Sequence, residues 1–158
     1  MSTKKVLLIG CGTVFFGFCM LVVLAVSWWV HISKDVEGIS VSVDAPLDVK
    51  LGETFAMVVN VANERAGEDL SVSDVDVGDA YLAGFVVVSV EPTPESSMHI
   101  PIDNSMSYTF DSLIPAGTTK SFTFTLRAEQ AGVYRGDVDV CEGLRFVTAI
   151  AQTCVKEE

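Results

Sequence analysis

The chain has 158 residues, 49% of them hydrophobic, and carries 21 acidic residues against 10 basic ones, which gives a formal net charge of −11. This length accommodates one ordinary domain together with a membrane anchor, but not two domains. The acidic balance argues against a nucleic-acid partner, because phosphate binding requires clustered Lys and Arg residues. A basic protein surface would instead be attracted to the chain.

The N-terminal segment 6–30 is apolar and contains no charged residue. As a helix it would be about 37 Å long, enough to cross a hydrocarbon core of about 30 Å. The segment also raises the mean hydropathy of the chain to +0.43. The sequence therefore predicts a cytoplasmic N-terminus over 1–5, one transmembrane helix over 6–30, a tether over 31–38 and an exported domain over 39–158.

The residues that flank the apolar segment predict its orientation. Lys4 and Lys5 precede it and acidic residues follow it, so the positive-inside rule keeps the N-terminus in the cytoplasm. Trp28 and Trp29 stand at the far end, where aromatic rings favour the lipid headgroup layer. We expect a single-pass protein of the cell (inner) membrane whose C-terminal domain is periplasmic or otherwise extracytoplasmic.

Two processing events are alternatives to an uncleaved anchor. The tetrapeptide Leu-Ile-Gly-Cys that ends at Cys11 resembles a bacterial lipoprotein box, and Ser27 is a candidate residue for cleavage of a secretory signal. The apolar run before Cys11 is very short for a lipoprotein, and the whole segment exceeds the roughly 7–15 residues of a normal signal core. These lengths favour an uncleaved anchor.

Small residues recur along one stripe of the predicted helix, at Gly10, Thr13 and Gly17. The spacing of Thr13 and Gly17 is typical of membrane helices that approach each other closely. Glycine is also simply common in membrane helices. The stripe is therefore a candidate contact with another membrane-protein subunit, with ordinary composition as the alternative.

From residue 39 onward the hydrophobic pattern has a period of two, which indicates half-buried strands. The alternation of apolar residues in 70–77 changes parity near Ser73, which predicts a β-bulge there. Residues 81–90 are apolar on both faces, which predicts a central strand with a bend at Gly84. Residues 91–105 are predicted to form a polar loop. The remaining strands are expected over 39–43, 55–61, 106–110, 122–126, 134–140 and about 146–155. The predicted fold is all-β, an antiparallel β-sandwich after one N-terminal helix.

Two stretches resemble bacterial immunoglobulin-like domains. They are VSVDAPLDVKLGETFAMVVNVAN in the front half and IPAGTTKSFTFTLRAEQAGVYRGDVDVC in the back half. The resemblance implies an immunoglobulin-like sandwich. Within it, Gly132-Val133-Tyr134 is similar to a tyrosine corner, which implies that the Tyr134 hydroxyl bonds to the preceding loop.

Cys141 and Cys154 would lie in an oxidising compartment, where a disulfide between them is a candidate. If residues 142–145 form a tight turn, Cys141 faces Phe146 and Cys154 faces Val133, too far along the ladder for a direct bond. A wider loop or an irregular last strand would be needed. Free thiols, or a bond to a partner, are the alternatives.

Acidic and histidine residues offer weak signals for a metal site. Asp74, Asp76 and Asp79 hint at calcium, but their spacing departs from an EF-hand loop, and a solvated strand face explains Asp74 and Asp76 as well as the pair at Asp137 and Asp139. No cysteine and histidine have the spacing of a copper centre. No nucleophile motif or phosphate-binding loop is present. We therefore expect no catalytic residue, no cofactor and no metal.

These features favour a non-enzymatic interaction or scaffold module. We expect it to be an accessory subunit that stabilises a larger membrane complex, and an energy-transducing complex is one candidate for that host. Its expected partners are the membrane, other membrane-protein subunits and a basic extracytoplasmic protein. The alternative is a free-standing envelope protein that binds peptide or glycan through sandwich loops such as 91–105.

Overall fold

A computed structural model describes residues 20–24 and 36–157. The chain divides into two units, Met1–Lys34 and Asp35–Glu158, and the description below concerns the second. Of the predicted membrane helix, only 20–24 are described, and they are helical. Within the described ranges, no helix has the length and apolar character needed to cross a membrane.

The domain contains ten strands arranged in two sheets. The four-stranded sheet has the order β1-β3-β8-β5 and the six-stranded sheet the order β2-β10-β9-β4-β7-β6. The strands are β1 Ile39–Asp44, β2 Asp48–Lys50, β3 Thr54–Asn63, β4 Leu70–Gly78, β5 Phe85–Glu91, β6 Ser96–Ile100, β7 Ser105–Ile114, β8 Thr119–Ala128, β9 Gly132–Glu142 and β10 Arg145–Lys156. One short helix, α1, covers Asp79–Leu82. The predicted all-β sandwich is confirmed, and its strands pair antiparallel as predicted except β2, which runs parallel to β10.

Strict alternation places the core between the two sheets. In β3, Phe55, Met57, Val59 and Val61 are buried, while the residues between them are partly or fully exposed. The same pattern holds on β8 and on the C-terminal halves of β9 and β10. Burial of one face per strand is the physical reason why the sequence period of two predicts these elements.

The predicted bulge in β4 is confirmed. The pairing of β4 with β7 shifts register between Val72 and Asp74. Before the shift Leu70 and Val72 are buried, and after it Val75 and Val77 are buried. The bulge therefore keeps the apolar residues of both halves of β4 in the core and turns Asp74 and Asp76 outward.

Two predictions about the middle of the chain are wrong. The predicted central strand over 81–90 is instead α1 followed by β5, and β5 forms an edge of the four-stranded sheet. Of its apolar residues, Phe85 is buried in the core, whereas Val86 and Val88 are exposed. The predicted loop 91–105 contains β6, which pairs with β7 at the edge of the other sheet.

A buried polar pair joins α1 to the last strand. Tyr81 and Thr153 have no exposed surface, and their hydroxyl groups share a hydrogen bond of 3.0 Å. The backbone of Gly136 lies against Tyr81, because a Cβ atom at Gly136 would lie 2.8 Å from the Tyr81 nitrogen. The small residue on β9 therefore makes room for α1, and the hydrogen bond satisfies both buried hydroxyls.

We predict that Tyr81→Phe lowers the free energy of unfolding by about 1–3 kcal/mol, because it leaves the Thr153 hydroxyl buried without a partner. Thr153→Val should have a cost of similar size for the reciprocal reason. The double variant should cost less than the sum of the two, since it removes both polar groups together. Urea unfolding of the four proteins measures this, and strictly additive costs would show that the pair is not coupled.

Candidate functional site

Acidic side chains from two neighbouring strands meet on the outer face of the six-stranded sheet. The register of β4 and β9 pairs Asp76 with Asp139 and Asp74 with Cys141. Asp137 precedes Asp139 by two residues on β9 and therefore points to the same side. We call Asp74, Asp76, Asp137 and Asp139 the acidic face. The sequence indicated two separate outward pairs, and the structure brings them together.

Three residues of the acidic face, Asp76, Asp137 and Asp139, form one wall of a cleft of about 730 Å³. The turn 101–104 between β6 and β7 contributes Asp103, and the exposed side chains of Ile102 and Phe146 also line the cleft. We call this the acidic cleft. Its lining residues are Asp76, Gly78, Ala80, Ile102, Asp103, Asn104, Ser105, Arg135, Gly136, Asp137, Asp139, Cys141, Phe146 and Thr148.

Crowding and burial disfavour negative charge at the centre of the cleft. Burial, as the largest cause, raises the pKa of Asp76, and the neighbouring carboxylates of Asp74 and Asp103 raise it further, against the lowering effect of the adjacent Ser107 hydroxyl. Burial likewise raises the pKa of Asp139, with repulsion from Asp137 and Asp76, while a hydrogen bond from Thr148 lowers it. Both carboxyl groups therefore favour protonation or a cationic neighbour.

The ion pairs of the described residues lie elsewhere. Arg65 and Arg145 both bind Glu142, Arg127 pairs with Glu129 and Lys156 pairs with Asp48, while His99 and Asp79 are joined by a hydrogen bond. Within ranges 20–24 and 36–157, neither the acidic face nor Asp103 has an ion-pair partner. Arg135 lines the cleft without forming such a pair. The lining of the acidic cleft thus carries four aspartates against one arginine, an excess of negative charge.

Two polar atoms at the cleft are buried without a hydrogen-bond partner among the described residues. They are Oδ1 of Asp76 and Oγ of Ser105. Ser105 is only 6% exposed. Ser105 and Asp103 were not predicted as site residues, because the sequence predicted a loop where the hairpin of β6 and β7 brings them onto the sheet.

The register of β9 and β10 separates the two candidate disulfide cysteines. Cys141 pairs with Phe146 and Cys154 with Val133, as predicted for a tight turn at 142–145. Eight positions along a strand correspond to about 26 Å, whereas a disulfide requires Cα atoms within about 7 Å. Both cysteines are free thiols, so a direct bond between them does not fit this fold.

The Cys141 thiol belongs to the acidic cleft. Burial, followed by the charges of Asp76 and Asp74, raises the pKa of Cys141 far above its usual range. Its sulfur lies 3.7 Å from Oδ2 of Asp76, to which the thiol donates. Since the thiolate is the nucleophile and metal ligand, the protonated Cys141 is suited to neither role.

Tyr134 occupies the position that the resemblance assigned to a tyrosine corner. Its hydroxyl donates a hydrogen bond of 3.4 Å to the backbone carbonyl of Ala131, in the loop before β9. Its ring lies over the backbone of Gly84, where a Cβ atom would approach the ring to 2.2 Å, and it contacts Phe85 at a centroid distance of 5.2 Å. The contacts are structural and lie on the core side of β9.

The histidine and calcium signals do not converge on one site. His99 Nε2 lies 2.7 Å from Oδ2 of Asp79, and both side chains are exposed. Asp79 begins α1, whereas Asp74 and Asp76 are in β4. In the described part of the chain, no group of three or more His, Cys, Asp or Glu residues is placed to hold a metal ion.

Several predicted residues lie outside the described part of the chain. They are the helix-contact residues Gly10, Thr13 and Gly17, and the interfacial residues Lys4, Lys5, Trp28 and Trp29. These assignments remain predictions from the sequence.

Similar folds occur among solved structures. The CARDB domain of the PF1109 protein from Pyrococcus furiosus, crystallised in complex with di-metal ions, is 19% identical, covers 76% of this chain and 94% of its own, and gives a TM-score of 0.50. The fold is a CARDB-like, immunoglobulin-type β-sandwich. The alpha-2-macroglobulin of E. coli gives a TM-score of 0.51 at 11% sequence identity. The match covers 77% of this chain but only 7% of the alpha-2-macroglobulin chain. No family model and no curated protein matches the chain.

We predict that Asp139→Asn stabilises the domain by about 0.5–2 kcal/mol at pH 7, the usual range for relief of unfavourable surface charge. Folding raises the pKa of Asp139. The free energy of unfolding of the wild-type domain is therefore higher when Asp139 is protonated, and it falls as the pH rises through that pKa. The gain from the variant should therefore shrink as the pH falls towards about 4. Thermal or urea unfolding between pH 4 and 8 measures it.

Asp44→Asn is the matched control, because Asp44 is exposed at the end of β1 in the other sheet. It should change stability by less than about 0.5 kcal/mol. An equal effect of the two variants would show that overall charge matters rather than the acidic cleft.

Proposed function

We propose that the protein is a non-enzymatic interaction module, tethered to a membrane by segment 6–30, which binds a basic partner through the acidic cleft as an accessory subunit of a larger membrane assembly. The observation that carries this proposal is the excess of acidic residues in the cleft, whose lining holds one arginine, Arg135, against four aspartates, Asp76, Asp103, Asp137 and Asp139. A partner that brings positive charge there would relieve the mutual repulsion. Such complementarity speeds association and selects the partner.

The contacts of the basic residues support an external partner. Arg65 donates two hydrogen bonds of 2.7 Å to Glu142, which is also the partner of Arg145. These cations are committed to a carboxylate outside the cleft lining. Arg65 and Arg145 therefore do not neutralise the acidic cleft, and Arg135 is the one arginine in its lining.

The first described residues of the domain support a short tether. Val36 is buried, Arg65 Nε donates to the carbonyl of Glu37 at 3.3 Å, and the Glu64 nitrogen donates to the carbonyl of Gly38. With the predicted helix ending at Val30, only 31–35 would connect the two, a reach of at most about 18 Å. Such a tether would hold the domain beside whatever subunit the helix contacts.

The absence of enzymatic activity remains part of the proposal. Among the described residues, His99 has only the Asp79 carboxylate as a side-chain partner, and no hydroxyl or thiol is bonded to its ring. The Cys141 thiol is held protonated by its surroundings. Neither arrangement supplies an activated nucleophile.

Peptide binding at the sheet edge is the second candidate function. β6 is an edge strand whose first four residues are exposed, and an edge strand can pair with an extended peptide. This favours a peptide over a glycan for the region 91–105. Hydrogen exchange of the full chain with its partner distinguishes the candidates: protection of the β6 amides supports edge pairing, and protection confined to the acidic cleft supports the main proposal.

The direct test is purification of the full chain from its native membrane in a mild detergent. We expect basic or membrane-embedded subunits to co-purify. The double variant Asp76→Asn/Asp139→Asn should lose most of them, because it removes two charges from the cleft. The control double variant Asp44→Asn/Glu95→Gln removes two exposed charges elsewhere and should retain them.

Two outcomes would contradict the proposal. One is a wild-type protein that runs as a lone monomer without co-purifying subunits. The other is equal retention of partners by both double variants, which would show that the acidic cleft is not the contact. A separate variant, Gly17→Leu, tests the predicted helix contact: loss of partners implicates the helix, and full retention leaves it as a tether.

A further inference from the structure

Two orphaned polar atoms lie close together in the acidic cleft. The pairing of β4 with β7 places Asp76 opposite Ser107 and Gly78 opposite Ser105. Asp76 and Ser105 are therefore diagonal neighbours on one face of the sheet, with side chains about 7 Å apart or less. Oδ1 of Asp76 and Oγ of Ser105 both lack a partner in the described part of the chain.

The surroundings of these atoms are suited to a compact cation. Ser105 is 94% buried, since its exposure is 6%, and buried hydroxyl groups are almost always hydrogen-bonded. Gly78, opposite Ser105, has no side chain to fill the cleft between them. Asp139 pairs with Asp76 on the other side and adds a second carboxylate.

An alkylammonium group matches this arrangement. It carries one positive charge and three N–H donors around a single nitrogen, whereas a guanidinium is planar and spreads its donors over a wider fork. Oδ1 of Asp76 and Oγ of Ser105 can each accept one of those donors, and the carboxylate of Asp139 is available for the third. Among the described residues, no three carboxylates converge on a position that could hold a metal ion.

Exposed apolar side chains line the cleft beside the carboxylates. Ile102 is 87% exposed and Phe146 is 55% exposed, and both belong to the cleft lining. The alkyl stem of a long basic side chain packs well on such a surface while its charged head enters a polar site. The lining holds four aspartates against one arginine, Arg135, so it keeps an excess of negative charge that attracts a cation.

We propose, building on the proposed function, that the acidic cleft binds one lysine side chain of the partner protein. Asp76 and Ser105 accept hydrogen bonds from its ammonium group, and Ile102 and Phe146 pack against its stem. The site would recognise lysine in preference to arginine.

The test is an NMR titration of the full chain in detergent micelles with three blocked tripeptides: Gly-Lys-Gly, Gly-Arg-Gly and the Nε-acetyl-lysine form of the first. We expect shifts of residues 76, 105 and 139 with the lysine peptide, at least about fivefold weaker binding of the arginine peptide, and none of the acetylated one. Asp76→Asn should weaken lysine binding at least about tenfold, the usual effect of losing a hydrogen bond to a charged group. Ser105→Ala should weaken it severalfold, and Asp44→Asn should leave it unchanged.

Three results would overturn the inference. Equal binding of the lysine and arginine peptides, with Asp76→Asn no more affected than Asp44→Asn, would reveal only general attraction to an acidic surface. Saturable binding of spermidine without binding of the lysine peptide would assign the cleft to a free amine. Stoichiometric Ca²⁺ binding that Asp76→Asn abolishes would assign it to a metal. If partners still co-purify in a cleft-dependent manner while lysine selectivity is absent, this inference fails and the proposed function remains.

Discussion

The pairing of β4 with β9 determines the most distinctive surface of this domain. On the inner side it buries Val75 and Val77 against Val138 and Val140. The same ladder necessarily sets Asp76 beside Asp139 on the outer side, since alternate residues of paired strands share a face. Like charges in direct cross-strand contact are unfavourable, so the apolar inner face compensates for the repulsion at the outer one.

The bulge in β4 makes this arrangement possible. Without the shift between Val72 and Asp74, a strand with Leu70 and Val72 in the core would carry Asp74 and Asp76 inward as well, where burial of two unpaired carboxylates would be prohibitive. One irregularity thus separates the apolar and acidic parts of the strand. The hairpin of β6 and β7 then adds Asp103 and Ser105 to the same face. The combination creates a cleft whose lining holds four aspartates and one arginine, Arg135.

Local patterns were sufficient to predict much of the fold. The alternation in β3 and β8, the bulge near Ser73 and the position of Cys141 opposite Phe146 all follow from a period of two and from short turns, which are properties of neighbouring residues. The edge position of β5 could not be predicted, because an apolar run has the same appearance in a central strand and in an edge strand that is partly covered. The strand β6 was missed because its residues are exposed and lack the alternation that burial imposes.

The candidate site was predictable only in its parts. The outward direction of the pairs at Asp74 and Asp139 followed from parity, but their meeting depends on strands separated by more than 60 residues along the chain, and no local pattern encodes that pairing.

The most direct measurement of the central claim is an NMR titration of the side-chain carboxyl carbons of Asp76 and Asp139 in the full chain. Both groups should titrate above the ordinary aspartate range of about 3–4, because burial and repulsion from neighbouring carboxylates raise each pKa. Titration of both at ordinary values would show fully solvated, independent carboxylates and would contradict an acidic cleft in need of a cationic partner.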